Sequence, residues 1–411
     1  MSQTPDISIF SPSFLANPFP IYQQLREQAP VFWSRELGAW LISRYADVKM
    51  LLTDERATPD QKAWAGFPEL KNSAQPTEHV QWALDATLLL CHGAQHARMR
   101  RFANTPFQSA GCGRIARVTE QVVHEVLAGF SGRKEIDLLA DFSAPIRIKV
   151  MGRLFGAGFT PEEEEFLVTG TNLALGFLEP SLAPEAISRN EGALRGFRSL
   201  VENVIRRGQE AGAGDSILGD LLQPNREGDR LSDEEVLSLV FSFLLAGTEA
   251  NGSLITMGVL LLLEHSGQLA HLQREPDRYP DAIREILRYR SFTKFLPRYL
   301  KEDITLHGNV MKQGQIALLL FQSAFRDPET FENPDVFDVM RKRSHELLAF
   351  GAGPHRCVGE RMAEIEAVIA LREFFKRFPK ATLRGSEADW VKHHMLVAVP
   401  RSVPVVPVLL S

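Results

Sequence analysis

Cysteine is scarce in this chain: there are three in 411 residues, Cys91, Cys112 and Cys357. An odd number without a C-x-x-C pair excludes a disulfide framework or a zinc ribbon as the organising device and suits a reducing cytoplasm. Long apolar runs are also missing. The longest, Leu254 to Leu263, is too short to cross a bilayer, and Met1 to Pro20 lacks a basic start followed by an apolar stretch, so neither membrane anchor nor signal peptide is expected. Positive charge is not in excess. A net charge of -5 excludes nucleic acid as a bulk electrostatic partner. There is no Gly/Ser-rich or Pro-rich linker, low-complexity tract or repeat, so residues 1–411 are expected to form one domain although the length would allow two or three.

The chain is 44% hydrophobic and 24% charged, the balance of a globular enzyme with a large core. A proline entry at Asn17-Pro-Phe-Pro predicts a short helix to Gln28. Val31 to Trp33 and Ala39 to Ser43 then predict a hairpin, and Tyr45 to Asp54 a helix behind it. Residues Glu55 to Leu84 read as irregular, and helical periodicity returns at Thr119 to Phe130, Glu162 to Phe177 and Gly192 to Gly208. Ser232-Asp-Glu-Glu235 is a capping box that opens a helix running to about His265, long enough at 1.5 Å per residue to cross the whole molecule, about 50 Å. Such a helix, apolar nearly all round, should be buried. Short strands follow Tyr289, and a last amphipathic helix spans Val358 to Phe378.

The densest signal is Phe350-Gly-Ala-Gly-Pro-His-Arg-Cys357-Val-Gly359. With this composition, Phe-x-x-Gly-x-x-x-Cys-x-Gly arises by chance in roughly one chain in a thousand. The pattern suits a thiolate that approaches a flat porphyrin beneath a backbone loop. Gly353 and Gly359 remove obstructing side chains and permit positive φ, Phe350 shields the sulfur, and peptide N–H groups at the start of the following helix keep it ionised. Cys91 and Cys112 have no such frame and read as small structural side chains.

On these residues the chain resembles the cytochrome P450 family over nearly its whole length. The resemblance implies a mainly α fold with small β-sheets, a β-rich lobe at about 25–60 and a helical core at about 85–411, the long central helix and the cysteine loop sandwiching haem b with Cys357 as axial iron ligand. It assigns Gly351 to the cofactor loop as well. Glu285-Ile-Leu-Arg288 alone is an ordinary helical pair. Together with Arg341 it matches the family's ion network, which locks the segment that carries the cysteine. His96 and Arg100, Arg298 and His355 match haem propionate positions.

Ala246-Gly-Thr-Glu-Ala-Asn251 resembles the family's oxygen-binding segment, with Gly247 leaving room for dioxygen and loosening the helix, and Glu249 as a proton conduit. It also departs from the family. Ala250, followed by Asn251, stands where most relatives carry the threonine whose hydroxyl helps deliver protons, and Thr248 lies about 200° away around the helix. Asn251 or a hydroxyl of the substrate could hold the missing water. Substrate-lining positions implied by the resemblance are Trp64, Phe67 and Trp82 in the loop over the pocket, Phe177 in the lid, Phe292, Lys294 and Phe295 after the Glu-x-x-Arg helix, and Leu396 and Val397 in the late turn. Lys294 reads either as a snorkelling surface lysine or as a partner for a substrate carboxylate.

Arg98, Arg341, Arg343, Arg356 and Arg361 would form a basic face for an acidic ferredoxin. The resemblance implies a monomeric cytoplasmic monooxygenase acting on a largely apolar small molecule, a natural-product intermediate, with electrons from a separate ferredoxin and its reductase. A P450-fold enzyme catalysing cyclisation, coupling, dehydration or nitrene transfer is the alternative. A haem-binding sensor or electron carrier fits less well, since no C-x-x-C-H attachment motif is present.

Overall fold

The computed structural model describes residues 17–66, 78–176, 184–225, 227–291, 293–342, 345–385, 389–390 and 400–408, with Ile7, Ser11 and Phe14. In chain order, the elements that bear on the site begin with helix α1 (Phe19–Gln28), strands β1 (Val31–Ser34) and β2 (Ala39–Ile42), helix α2 (Tyr45–Thr53) and strand β3 (Ala57–Thr58). Helices α3 (Glu78–Ala86), α4 (Gly93–Asn104), α5 (Ser109–Ala128), α6 (Ala144–Phe155), α7 (Pro161–Leu175), α8 (Pro184–Glu210), α9 (Asp233–Glu264) and α10 (Tyr279–Tyr289) follow. Strands β4 (Phe295–Leu300) and β5 (Ile316–Leu320) and helix α11 (Glu360–Arg377) complete the set. The chain gathers into two compact units, one from Met1–Glu69, Pro280–Cys357 and Trp390–Val399, the other from Leu70–Tyr279, Val358–Asp389 and Pro400–Ser411.

The first unit is built on a five-stranded sheet of order β1-β2-β5-β4-β3. The predicted hairpin forms with Val31 opposite Ile42 and Ser34 opposite Ala39. Its β2 edge, an open row of backbone donors and acceptors, is covered by β5 running parallel, with β4 antiparallel beyond it. The β-rich lobe therefore draws strands from residues 295–320 and is not confined to 25–60, because one hairpin alone cannot satisfy its own edge. Strand alternation places Phe295, Tyr299, Ile316, Leu318 and Leu320 on one face, where they form a core with Tyr22, Leu25, Phe32 and Leu41.

The second unit packs helices around α9. Ser232 accepts a hydrogen bond from the Glu235 backbone, and the Glu235 carboxylate accepts one from the Ser232 backbone, so the capping box starts the helix one residue on. The helix is long and apolar enough to cross a membrane by length and composition, but 87% of its apolar stretch is buried within the protein, which accounts for that composition as core.

Helix α6 lies along α9 with its four-residue repeat. Ser143, just ahead of α6, meets Thr256 hydroxyl to hydroxyl at 2.6 Å, and a Cβ at Gly252 would lie 2.8 Å from Arg147 Nη1 and 2.9 Å from its Cδ. At Gly247 a Cβ would lie 3.1 Å from Met151 Cε. Small residues on α9 thus admit the bulk of α6.

Several boundaries differ from those the sequence suggests. Residues 78–86 form α3, although the whole of 55–84 reads as irregular, because Val80, Ala83 and Ala86 supply a short buried stripe that a longer window dilutes. Helix α5 begins ten residues before Thr119, through a glycine-containing stretch where Arg114 is buried and paired with Asp215 and Asp220. Tertiary contacts supply what local periodicity lacks there.

Gly252→Ala should force the Arg147 guanidinium aside and cost about 1–3 kcal/mol of stability, read from the urea midpoint. Gly247→Ala, which meets only the flexible end of a methionine, should cost less.

Candidate active site

Glu285 and Arg288 on α10 are both buried, with side chains 3% and 2% exposed. Arg288 Nε and Nη2 donate to the two Glu285 oxygens at 2.7 and 2.8 Å. Its remaining N–H groups donate to the carbonyls of Phe325 at 2.9 Å, Pro334 at 2.7 Å and Val336 at 3.0 Å. Arg341 Nε adds a bond to Glu285 at 3.1 Å, its other nitrogens donate to the carbonyls of Glu332, Asn333 and Val336, and the Asp338 backbone N–H donates to Glu285 at 2.9 Å. The three residues that the sequence groups are therefore one network. It tethers an irregular segment, 325–341, that has no ladder of its own.

From that segment the chain reaches the cysteine loop through Glu346, whose carbonyl accepts from the Tyr45 hydroxyl at 2.6 Å and whose carboxylate accepts from Arg356 at 2.5 Å. Burial and the nearby Glu346 charge push Tyr45 up to about 12, so the phenol stays a donor. In the loop, Cys357 N–H donates to the Phe350 carbonyl at 2.7 Å and Arg356 N–H to that of Gly353 at 3.1 Å. Gly351 and Gly353 have φ of 72° and 68°, the left-handed region open to glycine, and a Cβ on Gly353 would press on Thr53 Cγ2 at 3.3 Å and the Leu52 carbonyl at 3.4 Å. Gly359 corrects its expectation: its φ is -84°, so handedness does not require glycine there, and nothing lies within 4 Å of where its Cβ would be. Phe350 is buried beneath the loop, His355 is half-buried and Cys357 is exposed.

The cations assigned to the propionates divide between the units. Arg298, 5% exposed on β4, has among the described residues one hydrogen bond, to the Pro297 carbonyl at 2.9 Å, and burial pushes its guanidinium down to about 10. A buried cation with no carboxylate beside it among the described residues fits an acidic ligand group such as a porphyrin carboxylate. In the other unit, His96 is buried on α4 with Arg100 one turn on, half-exposed and donating to Asn104 at 3.1 Å. Burial, and then the charges of Arg100 and His92, hold His96 below the usual imidazole range, which makes it a neutral donor at pH 7.

On α9 the helix continues unbroken through Gly247, and Met151 bounds the space that glycine leaves, which corrects the expectation of a loosened helix. Thr248 is fully buried. Its hydroxyl donates to the Leu244 carbonyl at 2.7 Å and lies 3.2 Å from Thr171 of α7, whose own hydroxyl donates to the Leu167 carbonyl at 2.6 Å. Ala246 is exposed. The side chains of Glu249, Ala250 and Asn251 lie outside the described residues.

The expected pocket residues separate. Trp82 packs on Phe241 of α9 at 4.6 Å between ring centroids, with the Arg198 guanidinium of α8 at 5.5 Å, a strut among three helices. Phe295 belongs to the core face of β4, which corrects its reading as pocket lining: alternation along the strand turns it away from Lys294 and Arg298, while Trp64, half-buried, packs against the same core. Phe67, Phe177, Phe292, Leu396 and Val397 lie outside the described residues.

Arg98 also departs from the expected basic face. It is bound by Asp229 and Glu235 at the start of α9 and by the Arg230 carbonyl. Arg341 and Arg356 are engaged as above, Arg361 is exposed, and Arg343 lies outside the described residues. Sequence reading missed Arg147, Thr171 and the Ser143–Thr256 pair. The signal was available in the small residues Gly247, Gly252 and Thr256, whose spacing answers Met151, Arg147 and Ser143.

The description "Cytochrome P450" matches residues 69–404. The chain is 30% identical over 382 residues to the epothilone C/D epoxidase of Sorangium cellulosum, covering 92% of this chain and 90% of that one. It is 32% identical over 410 residues to 6-deoxyerythronolide B hydroxylase of Saccharopolyspora erythraea, covering 95% of each. Among solved structures, epothilone D-bound cytochrome P450epoK superposes with a TM-score of 0.87 at 27% identity, over 98% of this chain and 99% of that one. The fold and the site define a haem-thiolate oxidoreductase fold. The chain belongs to the cytochrome P450 family.

Arg288→Lys should fail to restore the network, because an ammonium cannot serve five fixed acceptors. Glu285→Gln should cost about 3–5 kcal/mol by leaving a buried guanidinium uncompensated, measured as a drop in the unfolding midpoint.

Proposed function

We propose that the chain is a monooxygenase that oxidises a largely apolar secondary-metabolite intermediate, with haem b ligated by Cys357 and electrons from a separate cytoplasmic ferredoxin and its reductase. The observation that carries this reading is the exposed Cys357 thiol on a loop held by two left-handed glycines and tied back to the Glu285–Arg288–Arg341 network. Relatives named as an epothilone epoxidase, a 6-deoxyerythronolide B hydroxylase and a polyketide biosynthesis cytochrome P450 support the substrate class.

Arg298 would hold one propionate by charge, and His96 with Arg100 another through a neutral N–H and a guanidinium. When bound, the haem supplies dioxygen activation, with the thiolate donating electron density to iron. The chain's own task is to keep the sulfur ionised, orient the substrate, exclude water and deliver protons. Phe350, buried under the loop, excludes water from the sulfur side.

Proton delivery is where this chain differs. Thr248 cannot replace the hydroxyl absent at Ala250, because its own is committed to Leu244 and Thr171 on the α7 side of the helix. We assign that role to a substrate hydroxyl or to Asn251, with Glu249 as the conduit. The non-insertion chemistries stay as the second reading, favoured by the same missing alcohol.

The reduced protein with carbon monoxide should show the shifted Soret band of thiolate ligation, and Cys357→Ser should abolish it. If the wild-type protein lacks that band, Cys357 is not the ligand. Ala250→Thr should leave the coupling of NADPH use to product unchanged within about twofold, and a large gain would overturn substrate-assisted delivery. Product formed without dioxygen uptake would establish the second reading.

A further inference from the structure

We propose that Glu346 is a positioning residue whose carboxylate, paired with the Arg356 cation next to Cys357, sets the reduction potential of the thiolate-bound haem. The inference rests on the haem-thiolate reading and deepens it. Tyr45 and Lys49 stand four residues apart on α2, and so on one face of that helix. Both hold Glu346. The Tyr45 hydroxyl donates to the Glu346 carbonyl at 2.6 Å, and the Lys49 ammonium lies 3.3 Å from its carboxylate Oε2. The other oxygen, Oε1, accepts from Arg356 Nη1 at 2.5 Å. A carboxylate docked on a helix through its own carbonyl and one of its oxygens is a stationary charge.

Arg356 immediately precedes Cys357, with Cα atoms about 3.8 Å apart across the trans peptide. The Arg356 N–H donates to the Gly353 carbonyl at 3.1 Å and the Cys357 N–H to that of Phe350 at 2.7 Å, so the two residues share one pinned stretch of backbone. The Glu346 and Arg356 side chains are both half-exposed, and ion pairs of that kind add little to stability. Their placement is what this pair fixes. A full positive charge lies one residue from the thiol, with a full negative charge held against it.

Reduction of the iron adds one negative charge to the site. A nearby cation favours the added electron and a nearby anion opposes it. Removing Glu346 should therefore make reduction easier, and removing Arg356 should make it harder.

The test uses haem-loaded wild type, Glu346→Gln, Arg356→Gln and the double variant, each first checked for haem content and for the thiolate band with carbon monoxide. Reduction is followed optically against a redox dye at fixed ambient potential. We expect E346Q to raise the ferrous-to-ferric ratio roughly three- to tenfold, tenfold being about 59 mV for one electron. R356Q should lower the ratio by a similar factor, and the double variant should return to within about twofold of wild type. Mechanical support of the loop alone gives no shift, or shifts of the same sign, in the two single variants, and either result overturns the proposal. Should E346Q fail to hold haem, R356Q decides by itself, and a ratio that does not fall overturns the proposal. Absence of the thiolate band in wild type sinks the reading of Cys357 as ligand instead.

Discussion

The Arg288 guanidinium has five N–H donors, and the fold supplies an acceptor to each: two carboxylate oxygens of Glu285 and the carbonyls of Phe325, Pro334 and Val336. A buried ion pair gains little over a well-packed apolar pair. Its use here is geometric. Residues 325–341 have no regular secondary structure to satisfy their carbonyls, so the arginine fork substitutes for the missing ladder, and Arg341 repeats the device for Glu332, Asn333 and Val336. Irregular chain is thereby given a fixed path, and Tyr45 and Arg356 extend that path through Glu346 to the loop that ends at Cys357. The thiol's position is inherited from a chain of hydrogen bonds anchored at α10.

Sequence alone revealed the parts whose chemistry is local. The Ser232 capping box, the β1–β2 hairpin and the Phe350–Gly359 frame each hold their signal within a few residues, and each forms close to its expected bounds. The Glu285–Arg288–Arg341 network was legible only because three ordinary residues match a known order. What stayed hidden depends on long-range packing. The partnership of β2 with β5 joins residues 275 or so apart, and nothing in Ala39 to Ile42 names its partner. Phe295 looks like a pocket aromatic by position, yet strand alternation and the α1 core claim it. Gly359 reads as a turn glycine, but its backbone is ordinary and the space beside it is what the residue provides.

The long helix shows the same division at the chemically decisive turn. Gly247, Thr248 and Gly252 each meet a partner: Met151, Thr171 and Arg147. Gly247, which the motif reading ties to oxygen chemistry, is thus bounded by α6, and Thr248, which that reading sets aside, is held by α7. Ala246 is the exposed member among the described side chains of the segment. The Thr248 hydroxyl is buried and committed to Leu244 and Thr171. Under the proposed oxidation the proton donor would be Asn251, Glu249 or the bound substrate, and of these the substrate alone varies independently of the fold. Under that proposal, reaction type in this chain is coupled to substrate choice.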